Sequence, residues 1–97
     1  MSPTVAAPRL ATLVGDLADA RPAYRALADR IRLLIADGRV VVGTRLPSER
    51  DLTTALGVSR TTVTRAYAVL RDSGYAVARQ GSGTTVAIPT GEIRRGT

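Results

Sequence analysis

Residues 57–67, GVSRTTVTRAY, gather hydroxyl and guanidinium groups around what reads as the start of a helix: Ser59, Arg60, Thr61, Thr64 and Arg65. Arginine presents a planar fork of donors that matches phosphate oxygens and the O6/N7 edge of guanine, while threonine offers a hydroxyl and a methyl group. A helix N-terminus adds unpaired N–H groups and a partial positive charge, both attractive to an anion. Such residues are equipped to recognise an anionic, hydrogen-bonding partner. They are poorly equipped for catalysis, because the 97-residue sequence has no His and no Cys and so lacks the usual bases, thiol nucleophiles and most zinc ligands. Glu49 and Asp51 stand two apart and do not share a helix face, Asp16 and Asp19 read as solvated, and no Lys follows the GSG turn to make a phosphate-binding loop.

Fourteen basic residues, all of them Arg, stand against eight acidic ones and give a net charge of +6. That excess favours an anionic partner. The length fits one domain with a single core. Without Cys there is no disulfide framework and no thiolate metal site. No apolar run approaches the roughly 18 residues that a membrane span needs, and the start MSPTVAAPRLATLVGDL lacks a basic segment followed by an uninterrupted apolar one. A soluble, cytoplasmic protein with no membrane partner is expected.

The elements that must position the basic residues follow from periodicity. Residues 1 to 8, with Pro3 and Pro8, read as a mobile end, and Leu10, Leu13, Val14 and Leu17 suggest a short amphipathic helix weakened by Gly15. Pro22 suits the first turn of a second helix, in which Tyr24, Leu27, Ala28, Ile31, Leu34 and Ile35 face the core and which ends near Gly38. RVVVGTRLP reads as an extended connection. A third helix starts at Ser48, where Ser48 and Asp51 resemble a capping box; it turns Leu52, Ala55 and Leu56 inward and closes at Gly57. Ser59 caps a fourth, whose buried stripe is Val63, Ala66, Tyr67 and Leu70 and whose terminator is Gly74. On a helical wheel Arg60, Thr61, Thr64 and Arg65 lie opposite that stripe.

Beyond Gly74 the period changes to two: YAVARQ, GSG and TTVAI read as a β-hairpin, with Arg79, Gln80, Gly81 and Ser82 at or near its tip. Helix, helix-turn-helix and hairpin together predict a mainly α fold with a small β-hairpin (α+β), a winged helix-turn-helix. The expected organisation is an N-terminal arm with a short helix over 1–21, the winged helix domain over 22–88 and a linker or tail over 89–97. In this arrangement residues 59–73 form a recognition helix for the major groove and residues 79–84 a wing for the minor groove.

The segment RLPSERDLTTALGVSRTTVTRAYAVLRDSGYAVARQGSGTTV resembles the winged helix DNA-binding domain of the GntR family of bacterial transcription regulators. LPSERDL, GVSRTTV and RQGSGT carry the resemblance, which covers about residues 22–88. It implies DNA contacts at Arg50, Ser59, Arg60, Thr61, Gln80 and Gly81. Many members have Arg where this sequence has Thr64, and here the arginine stands next door at Arg65. TVTRAYAVLRDSGY and the extra N-terminal helix look most like the MocR subgroup, which implies a further C-terminal domain that binds pyridoxal phosphate, with no cofactor in this chain. Double-stranded DNA is the expected partner, bound by a homodimer on two half-sites.

Several alternatives stay open at the sequence level. Arg60 suits guanine readout, a phosphate contact or a solvated charge, and Ser59 suits capping alone or capping with a phosphate contact. A winged helix that docks an acidic protein partner is the principal competing function. RNA binding is disfavoured, because three Tyr without Phe or Trp make a poor stacking platform.

Overall fold

The computed structural model describes residues 3–81 and 83–89. Four helices are followed by a hairpin: α1 (Ala7–Val14), α2 (Ala23–Ala36), α3 (Glu49–Leu56), α4 (Arg60–Asp72), β1 (Ala76–Arg79) and β2 (Gly83–Val86). The core forms where α2 lies on α4, because each helix repeats apolar side chains at three- and four-residue spacing and can bury only that stripe. Leu27, Ala28, Ile31, Leu34 and Ile35 line the α2 side, and Val63, Ala66, Tyr67 and Leu70 the α4 side; all are buried. Leu52 is the buried anchor of α3. Leu10, Val14 and Leu17 bring the N-terminal segment onto the same core, with α1 packed against α3 and α2.

Local chemistry sets the helix boundaries. Ser48 Oγ accepts from the Asp51 N–H at 3.0 Å, the half of a capping box that the serine supplies. Three residues, Gly57, Val58 and Ser59, then join α3 to α4. At the far end of α4, Gly74 has φ +86°, and a Cβ there would lie 2.9 Å from Pro89 Cβ and 3.1 Å from Pro89 Cα. Only glycine lets the outgoing chain lie this close to the end of α4.

β1 and β2 pair antiparallel from Ala76 opposite Val86 to Arg79 opposite Gly83. The wing extends beyond these two strands. Residues 43–46 run along the free edge of β2, with bonds from Leu46 N–H to Thr84 O and from Val86 N–H to Thr44 O, both 2.8 Å. Arg45 bridges Thr85 on one side and Thr4 on the other, where its N–H donates to Pro3 O at 2.8 Å.

Three sequence expectations change. Residues 3–8, expected as a loose end, are tied to Arg45 and then enter α1; residues 1–2 lie outside the described residues. The connection at 39–47 contributes to the sheet because its backbone groups find partners in β2. Ala55 is exposed and is not a core residue, while Tyr24 is half-buried and packs against the core. Apart from Pro89, the expected linker or tail at 89–97 lies outside the described residues.

Candidate nucleic-acid interface

Ser59 has the extended backbone of an N-cap, and its Oγ accepts from the Thr62 N–H at 3.1 Å while pairing with the Thr62 hydroxyl at 2.9 Å. Its polar atom is therefore committed to the helix. Arg60 and Thr61 follow in the first turn of α4, exposed, and neither side chain makes a hydrogen bond among the described residues. The first turn of α4 carries no acid. Its N–H groups and the Arg60 guanidinium thus add their attraction for an anion.

The expected outward face of α4 divides beyond this turn. Thr64 leans toward α3, where its hydroxyl donates to Glu49 Oε1 at 2.7 Å. Arg65 turns toward α2, and its guanidinium carbon lies 5.1 Å from the centre of the Tyr24 ring. Arg25 lies over the same ring at 5.6 Å, which gathers two cations around one tyrosine. Arg50 is exposed on α3 and lines a groove of about 740 Å³ between that helix and residues 4–8, together with Arg45 and Ser48.

On the wing Gln80 and Gly81 are exposed, and Gly81, at φ +81°, has no heavy atom within 4 Å of the place a Cβ would take. A backbone this open can approach another molecule closely. Ser82 lies outside the described residues. Arg45 connects the wing to the helices: its Nε lies 3.7 Å from the Cβ position of Gly83, and the same residue lines the groove beside Arg50. Arg45 thus touches the wing and shares a groove with the start of α3, and Glu49 joins that helix to Thr64 on α4.

Sequence reasoning missed Arg45 and Glu49. Arg45 stands directly before the LPSER motif, but its value depends on pairing with Thr85, forty positions further on. Glu49 is placed correctly in the first turn of α3, where it complements the helix dipole. Its bond across to α4 has no local sequence signal. Beneath the surface, Tyr67 donates to Pro47 O at 2.7 Å, and burial, with a further push from the Glu49 carboxylate, raises its phenol well above the usual range. Tyr67 is a support for this face and not part of it.

The sequence matches the profile of the bacterial regulatory proteins of the gntR family over residues 23–86. The pyridoxine biosynthesis transcriptional regulator PdxR of Corynebacterium glutamicum is 48% identical over 60 residues, which cover 62% of this chain and only 13% of that protein. Among solved structures, YtrA of Sulfolobus acidocaldarius, a GntR-family transcription factor, is similar with a TM-score of 0.71 and 35% identity, covering 86% of this chain and 89% of that one. The DNA-binding domain of AraR, solved in complex with an operator, is similar with a TM-score of 0.62 and 33% identity over 68% of this chain and 80% of that one. These proteins are regulators and their DNA-binding domains, not enzymes. With its helix-turn-helix, its hairpin wing and this match, the chain belongs to the GntR family and carries that family's winged helix DNA-binding domain.

Proposed function

We propose that the domain reads a specific double-stranded DNA sequence for a bacterial transcription regulator, with α4 in the major groove and the β1–β2 wing in the minor groove. The observation that carries this reading is the first turn of α4, where Arg60 and Thr61 stand exposed and uncommitted on a helix end without acids. Arg60 meets a guanine edge, and Thr61 meets a phosphate or a thymine methyl. Arg50 and Arg65 contact the backbone, Ser59 caps the helix that carries the readers, and Gln80 and Gly81 enter the minor groove. The protein acts in the cytoplasm as a homodimer on two half-sites about one helical turn apart, or a multiple of it. Among the described residues no helix is long and apolar enough to cross a membrane.

The TVTRAYAVLRDSGY segment favours a MocR-type regulator, and the small share of PdxR that this chain spans is in keeping with a much longer protein. Pyridoxal phosphate does not fit the residues present here, because the chain has no lysine to hold it as a Schiff base. In a MocR-type protein the cofactor belongs to a further domain.

The test is selection of bound duplexes from a randomised pool by the 97-residue chain and by its Arg60→Ala variant. The wild type enriches a paired motif. Truncating Arg60 costs about 1 to 3 kcal/mol and relaxes the preference at one base pair. Equal loss on every sequence makes Arg60 a phosphate contact, and no binding even at low salt refutes the proposal.

A further inference from the structure

Thr64 lies one turn beyond Arg60 and three positions beyond Thr61, so it shares their side of α4 and is the next exposed side chain along it. What it can offer a base is constrained by α3. A threonine hydroxyl has one proton and two lone pairs, and the proton is directed to Glu49 Oε1 at 2.7 Å. As a carboxylate, Glu49 can only accept, so the bond cannot run the other way. The oxygen of Thr64 is left as an acceptor beside its methyl group.

Resting on the reading of α4 as the major-groove helix, we infer that Glu49 and Thr64 act as a pair that selects an amino base, adenine or cytosine, on the strand that Thr64 faces. Adenine N6 and cytosine N4 present donors in the major groove, whereas guanine O6 and thymine O4 present acceptors. An acceptor-only threonine bonds to the first two and leaves the second two facing an unmatched lone pair. Thr64 is the specificity-determining residue, and Glu49 is a positioning residue that acts through it. The lock spans the helix-turn-helix, so the identity of a side chain on α3 decides what a side chain on α4 can read.

Binding selection with the 97-residue wild type, Thr64→Val and Glu49→Gln tests the pair. Valine keeps the shape and removes the oxygen. Glutamine can either accept from or donate to Thr64, which frees the hydroxyl to donate to a keto oxygen. One motif column in the wild type should favour adenine or cytosine by about fivefold, the factor an ordinary neutral hydrogen bond supplies. Thr64→Val should flatten that column alone, and Glu49→Gln should admit guanine and thymine to it. Thermal unfolding of each variant separates this from loss of structure, since a structural role would lower every column together. A wild-type motif whose columns respond to neither substitution, or a Thr64 column restricted to guanine or thymine, overturns the pair and leaves DNA reading intact. Absence of any wild-type motif overturns both.

Discussion

Three arginines near α4 differ in what holds them, and the difference separates positioning from readout. Arg65 lies over the Tyr24 ring, Arg45 lies along the wing beside Gly83, and Arg60 makes no hydrogen bond among the described residues. A guanidinium already braced by protein has a fixed place, which suits a phosphate whose position repeats along every duplex; an unbraced fork is available to a base edge that differs between sequences. Arg45 illustrates the first case, since its backbone is fixed between Thr4 and Thr85 and its side chain lies along the wing at Gly83. Arg45→Ala is therefore expected to weaken binding to all duplexes by a similar factor. The slope of log affinity against log salt should become shallower by about 1, as measured by titration at several salt concentrations. A change in base preference instead would make Arg45 a reader.

Each helix depends on a few residues that do more than fill space, and α4 shows this at Tyr67. Its ring completes the buried stripe, and its hydroxyl ties α4 to the entry of α3 through Pro47 O. Tyr67→Phe keeps the ring and loses that bond, which should cost about 1 kcal/mol in denaturant unfolding at neutral pH. The phenol is raised above its ordinary value of 10.0 in the folded chain, so the neutral form is the one the fold favours. That contribution is complete below the ordinary value and is lost as pH climbs beyond it and the unfolded chain ionises. On the alkaline side the wild type should lose stability more steeply than the phenylalanine variant. The stripe itself is legible in the sequence, because Val63, Ala66, Tyr67 and Leu70 repeat at helical spacing between a serine cap and a glycine stop. The edge segment at 43–46 is not, since its partners lie at 84–86 and at 3–5, and Gly43, Thr44, Arg45 and Leu46 carry no local signal of that pairing. For the same reason the exposure of Arg60, Thr61, Thr64 and Arg65 can be read from the sequence, while the Glu49 to Thr64 bond, made across fifteen positions, needs the packed helices.

At the scale of the whole chain, residues 3–20 behave as part of the domain and not as an appendage. Leu10 is completely buried, and Val14 and Leu17 are nearly so, because α1 closes the core on the side of α3. The Arg30 guanidinium reinforces the join by donating to Val14 O at 3.2 Å, a carbonyl that the end of α1 would otherwise leave open, and to Asp16 O at 2.7 Å just beyond it. Residues 3–5 meanwhile hold the outer side of Arg45. This segment therefore supports both α3, which carries Glu49 and Arg50, and the edge segment that carries Arg45. Leu10→Ala should cost about 2 to 5 kcal/mol, a large share of the roughly 5 to 15 kcal/mol that stabilises a typical domain. Denaturant unfolding would measure that loss directly. Leu10 is completely buried and presents no group to a duplex, so DNA binding should weaken only in proportion to the folded fraction and should recover on cooling from a temperature at which the variant is partly unfolded. A cost below about 0.5 kcal/mol would mean that α1 merely rests on a domain complete without it. Weak binding by a fully folded variant would mean that α1 instead sets the geometry of the interface through α3.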